Sequence, residues 1–354
     1  MLLALTVVAA SAASAQSVPV DEVPSLKASF RVNPNMTQLA DGSLYGFYNG
    51  GLNGAIYKVT LNGQGDSTSS LVYEFRLDQG GPPSGSYSRG SNVITGPDGW
   101  IYFAGRSISR FNPATRTVED LHRLTPAHAG GQLQLILGID GHTLFGANES
   151  GRVYSYDLTS MRFNEVSHPG KGQLIGIEQM KNGNLLVIMH SGLDTYFYSV
   201  DANGVETAPA MLETRAKALR PARDVNGDVY VLSSLNGDQT LQRISNACFC
   251  LEELRRWPYG SFVVYNMAVR NGVVYFNPDT NLHRFAVATG QLDRLSNDQS
   301  FNYRLLPSGL MLMVGDPSRV AAINVDSYVP FSAPLLMGEV LESAGRAPRL
   351  RPEQ

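Results

Sequence analysis

The side chains best suited to move a proton beside an anion are His168, His190, Arg106, Arg220 and Tyr259. Arginine can neutralise a carboxylate while histidine or tyrosine takes the adjacent proton, the pairing that β-elimination on a uronate requires. A second set consists of amides, Asn35, Asn92, Gln134, Gln173, Asn266 and Asn302. Amides both donate and accept, so a rim of them suits hydroxyl-rich or anionic ligands. It suits calcium poorly, because calcium cages lean on carboxylates. No cysteine and histidine grouping marks a metal site, and no Gly-x-Ser-x-Gly elbow, HExxH helix or phosphate loop is present. Neither a metal nor a cofactor is expected. Each candidate also has a structural use: loop histidines can be merely solvated, inner amides can hold channel water, and aspartates can cap turns.

Seven turn signals organise these residues. They are Asp41-Gly42, Asp98-Gly99, Asp140-Gly141, Asn182-Gly183, Asn226-Gly227, Asn271-Gly272 and Ser308-Gly309, each followed by an apolar run. Successive glycines are spaced 57, 42, 42, 44, 45 and 37 residues apart. A period in the low forties built from short strand signals predicts an all-β fold, a seven-bladed β-propeller with four-stranded blades. Asp-Gly and Asn-Gly should supply the positive φ of two-residue hairpin turns. Three places after each glycine stand Tyr45, Tyr102, Leu144, Leu186, Tyr230, Tyr275 and Leu312, expected to pack between blades.

In such a disc the marker turns share one face. Links between second and third strands, and from blade to blade, share the other. That sorting puts His122, His128 and His168 in blade-to-blade links and His190 in a strand-two-to-three loop, together with Arg106, Arg220 and Tyr259. The amides fall at the start of the inner strands, around the central channel. His142 is left on the marker-turn face. Function is expected on the loop face, where segments differ in length and composition.

Met1 to Gln16 holds no charged side chain, and Leu2 to Ala10 is apolar before Ala13-Ser14-Ala15. This reads as a signal peptide over residues 1–15, followed by one propeller over 16–344 and a disordered tail over 345–354. The protein is therefore expected to be secreted or periplasmic, with no transmembrane segment, and to act as a monomer. A formal charge of −3 argues against nucleic acid. Gly80 to Ser86 is a Gly/Pro/Ser loop that lengthens the first interval, and Ser25 to Val32 could close the ring as the outer strand of blade seven. Cys248 and Cys250 flank one residue. A disulfide and two buried thiols both fit that spacing.

Blade one, from Leu39-Ala40-Asp41-Gly42-Ser43-Leu44-Tyr45-Gly46 through Asn49-Gly50-Gly51 and Gly54 to Ile56-Tyr57-Lys58, resembles a glycine-rich repeat of secreted bacterial propellers. The specific match covers about one seventh of the chain. It implies the fold and export and leaves the chemistry open. The expected function is binding of a glycan, cell-wall fragment or partner protein through the loop face. The alternative is a polysaccharide lyase, or related carbohydrate-active enzyme, acting at the channel mouth.

Overall fold

The computed structural model describes residues 21–22, 36–48, 55–61, 67–75, 93–129, 134–168, 172–192, 194–201, 203–206, 210–211, 217–218, 221–235, 238–245, 248–258, 267–276, 282–296, 302–306, 308–314 and 320–327. The proposed leader, the 80–89 loop, Ser25 to Val32 and the tail lie outside them. The protein is a seven-bladed β-propeller. Six sheets have four strands, and the fifth blade has its inner strand in two pieces, Lys217–Ala218 and Ala222–Arg223. Pro221 stands in that break and has no amide hydrogen to offer a ladder. Every sheet is antiparallel and six of the blades are meanders, as in blade two with Val93–Thr95, Ile101–Ala104, Ser107–Asn112 and Thr117–Arg123.

Blade seven takes its outer strand from the other end of the chain. Asp21–Glu22 pairs antiparallel with Val320–Asn324, with Asp21 opposite Ala322 and Glu22 opposite Ala321. This clasp lies upstream of the segment expected to form it. It covers an edge that would otherwise expose unpaired backbone groups.

All seven marker glycines have positive φ, from 71° to 89°. The turns nonetheless differ from the expected two-residue hairpins. Asn271-Gly272 is such a hairpin, with φ of 51° and 71° and Arg270 opposite Val273. The other six are longer turns in which glycine alone is left-handed. In five of them the preceding side chain accepts or anchors an amide two places on, as Asp41 Oδ1 does from the Ser43 amide at 2.8 Å. The aspartate caps the turn and the glycine reverses it, so the two residues divide the work.

The residues three beyond the glycines pack as expected: Tyr45, Tyr102, Leu144, Leu186, Tyr230 and Tyr275 are all buried. In three blades the buried tyrosine heads a row across the sheet. Tyr102 faces Arg110, which faces Glu119; Tyr230, Arg243 and Glu252 repeat this, as do Tyr275, Arg284 and Asp293. Arginine bonds the carboxylate at 2.8 Å in the first two and 3.1 Å in the third. Burial, together with donation to Asp98 at 2.6 Å, pushes the Tyr102 hydroxyl up to about 12.

Neighbouring blades meet through close backbone contacts. Gly204 has φ of 78°, and a Cβ there would lie 2.1 Å from the Val166 carbonyl oxygen of the preceding blade. Gly204→Ala is expected to cost more than about 1 kcal/mol, read as a lower urea midpoint at unchanged m-value.

Candidate functional site

The interface between blades four and five is layered. Its middle is apolar: Met180, Leu186, Ile188 and Phe197 meet Val229, Val231 and Ile244. Side chains alternate along a strand, so His190 follows Ile188 on the same face, and Thr195 lies on it too, opposite His190. From blade five, Ser233 and Thr240 continue the alternation of Val231 and stand opposite each other in register. The loop-face end of this interface is therefore polar: half-buried His190 and buried Thr195 on one side, buried Ser233 and Thr240 on the other.

His190 Nδ1 lies 3.4 Å from Thr195 Oγ1. Ser233 donates to Gln242 Oε1 at 3.0 Å. Thr240 Oγ1 is buried and makes no hydrogen bond among the described residues; Trp257 Nε1 is likewise unpartnered but belongs to the other face of blade five, packed against Phe276 of blade six. Buried polar atoms without partners are uncommon in native folds, so the Thr240 hydroxyl is a notable feature of this interface. Neither Thr240 nor Trp257 stood out in the sequence, because a threonine in a strand and an aromatic in a core are ordinary.

Blade three reaches this strand end through Glu149. Gln173 faces His190 in register and donates to Glu149 Oε1 at 2.7 Å. The Glu149 carbonyl accepts from the Leu174 amide at 2.8 Å, so the loop of blade three is tied to the inner strand of blade four. Within blade four the chain entering the inner strand passes close to the second strand at Gly172, where a Cβ would sit 2.5 Å from the His190 carbonyl oxygen. His168 Nε2 lies 3.1 Å from the Ser150 carbonyl oxygen. Asn148 anchors the loop, donating to the Ala127 carbonyl and accepting from the Ser150 hydroxyl and the Arg152 amide.

The structure thus gathers His190, Gln173 and His168 on the loop side of blades three and four. Gln134 does something else: its Nε2 donates to the Ile175 carbonyl and its Oε1 accepts from the Ile177 amide, both at 2.9 Å, bracing blade three to blade four. Arg106 is exposed in the loop of blade two, and its carbonyl accepts from the Leu124 amide. Asn302 begins the inner strand of blade seven, opposite Val314. Asn35, Asn92, Arg220, Tyr259 and Asn266 lie outside the described residues.

Two histidines are placed differently from the sequence reading. His190 belongs to the second strand, Leu185–Ser191, instead of a loop. His122 belongs to the outer strand of blade two, where its ring stacks on Phe163 at 4.1 Å. Burial, and then the nearby His128, lower its proton affinity. His128 is buried, with Nδ1 2.7 Å from Thr125 Oγ1. These two pack blades two and three together. Among the described residues no group of histidines, cysteines and carboxylates could hold a metal ion, and no helix is long and apolar enough to cross a membrane.

No protein-family model matches the chain, and no curated protein does. Solved structures share its architecture. Virginiamycin B lyase from Staphylococcus aureus superposes with a TM-score of 0.63 at 11% identity, over 86% of this chain and 99% of that one. Oligogalacturonate lyase from Vibrio parahaemolyticus gives 0.63 at 10% identity, over 89% and 96%. The extracellular domain of a B. thetaiotaomicron protein described as a one-component system gives 0.60 at 13% identity, over 89% of this chain and 43% of that one. Identities this low show a common β-propeller-like fold, and that is the conclusion they support.

Proposed function

We propose that the protein is an exported, monomeric binding propeller that holds a hydroxyl-rich ligand, a glycan or cell-wall fragment, at the loop-face mouth between blades four and five. The observation behind this reading is the polar end of an otherwise apolar interface, where His190 and Thr195 face a Thr240 hydroxyl that has no partner among the described residues. A ligand hydroxyl reaching Thr240 would satisfy both groups, and Gln173 and His190 offer further donors and acceptors at the rim. In the sequence Arg215 and Arg220 flank the strand that carries Lys217, and such cations favour an acidic sugar.

Calorimetry on hits from a glycan array tests it. His190→Ala and Thr240→Val should each weaken binding at least tenfold, about 1.4 kcal/mol, with the unfolding midpoint of His190→Ala nearly unchanged. Binding that survives both changes, or shifts that map to Asp98, His142 and Asn226, would overturn the placement.

A second reading rests on the same residues. His190 as base and an arginine such as Arg220 as cation would supply the two groups that elimination on a uronate needs. The lyase-bearing neighbours are compatible with it through the fold alone. Ultraviolet absorbance from unsaturated uronate products, lost in His190→Ala, would favour this enzyme reading over simple binding.

A further inference from the structure

Cys248 and Cys250 are bonded to each other across one residue, with Cα atoms 5.1 Å apart. They lie in the hairpin between the third and fourth strands of blade five, Asp238–Ser245 and Cys250–Pro258. That hairpin is fastened without them. Ser245 stands opposite Cys250 in register, and the Phe249 amide donates to the Ser245 carbonyl at 2.9 Å. Phe249 takes a positive φ of 49° and packs against the apolar core between blades four and five. Both cysteines are exposed.

A disulfide stabilises mainly by restricting the unfolded chain, and the restriction grows with the loop it closes. A bond spanning a single intervening residue closes about the smallest loop available. It therefore adds little to a turn already held by register, hydrogen bond and the half-buried Phe249 ring. Solvent-facing sulfur, by contrast, is open to an approaching thiolate, and access is what separates labile disulfides from structural ones.

We infer that Cys248–Cys250 is a thiol-exchange site, a reducible pair that accepts two electrons from a dithiol while the propeller stays folded. The donor's thiolate attacks one cysteine sulfur, the S–S bond breaks, and the other cysteine departs as a thiolate that takes a proton from water. The donor's second thiol loses its proton and displaces the first cysteine from the mixed disulfide. The donor ends as a disulfide, and Cys248 and Cys250 end as two thiols. Exchange with a second molecule's disulfide, which leaves as a dithiol, reverses the steps; the cysteines stay two positions apart, so the bond-closing displacement is intramolecular and the site can cycle.

The full chain is incubated under native conditions with dithiothreitol, quenched with N-ethylmaleimide at intervals and weighed by mass spectrometry. The expected result is no adduct without reductant, then two adducts appearing at least tenfold faster than global unfolding measured in the same buffer. Circular dichroism should show the unfolding midpoint of the reduced protein within about 2 °C of the oxidised one. The Cys248→Ser/Cys250→Ser double variant should match that midpoint and take no adduct. Adducts before reduction, adducts that appear at the unfolding rate, or a larger fall in midpoint on reduction would each overturn the inference.

Discussion

Tyr154→Ala is expected to lower the free energy of unfolding by about 4 kcal/mol, and Tyr154→Phe to leave it unchanged or raise it. The ring is fully buried between blades two and three, 5.5 Å from Phe163 and edge-on to His128 at 6.1 Å. It fits because the facing residue is Gly146, where a Cβ would lie 2.1 Å from the ring's Cζ. The hydroxyl makes no hydrogen bond among the described residues, and burial holds its ionisation well above the ordinary tyrosine value. Deleting the ring opens a cavity; deleting the oxygen alone removes a buried group that has no protein partner. Tyr303 is the internal control. Its hydroxyl donates to the Tyr275 carbonyl at 2.8 Å in a buried setting, so Tyr303→Phe should cost about 1 kcal/mol. Urea titrations of the three variants decide the matter. Equal losses for the two phenylalanine variants would show that the Tyr154 hydroxyl is satisfied.

Arg223→Leu should cost about 3 kcal/mol at neutral pH, because it strands a carboxylate between blades four and five. Arg223 Nε lies 3.3 Å from Glu178 Oε1, and Nη2 donates to the Leu137 carbonyl at 3.0 Å, so one side chain ties three consecutive blades. Burial raises the proton affinity of Glu178, and the Arg223 charge pulls it part of the way back. The sign follows from comparing folded and unfolded states. A carboxyl whose folded pKa exceeds its ordinary 4.5 gives most stability when protonated in both states. Stability is then lost as pH rises from 4.5 to the folded value. Without Arg223 the folded value climbs further and the window widens upward. Glu178→Gln should flatten this part of the pH profile, and the double variant should recover much of the Arg223→Leu loss. A profile unaffected by Glu178→Gln would remove that carboxyl from the account.

The blade repeat was legible because each turn needs a residue that tolerates positive φ, and glycine advertises it at all seven markers. The cores were legible for a related reason: a fixed offset from the turn sets which side chain faces the next blade. The tyrosine, arginine and carboxylate rows were hidden, since the cation falls at Arg110, Arg243 or Arg284, at no constant distance from its tyrosine. Hairpin loops of different length scramble the spacing while register restores it. The candidate site was half legible. His190 and Gln173 were named separately, but their pairing depends on register across two strands. Thr240 becomes visible only when burial shows a polar atom left over. Gln134 misled for the same reason: an amide at a channel mouth reads as a ligand group until its two bonds to blade four are seen.

The clasp between Asp21–Glu22 and the last blade carries a kinetic consequence. Six blades are local meanders that can zip from neighbouring residues. The seventh joins positions roughly 300 residues apart, so its closure sits at the high contact-order end of folding, where loss of chain entropy sets the pace. Until the final strands are made, the opening segment has nothing to pair with and the last sheet shows a bare edge. The ring therefore commits late, and a chain interrupted before Val320 is left as an open arc whose two ends can each recruit another molecule's strand.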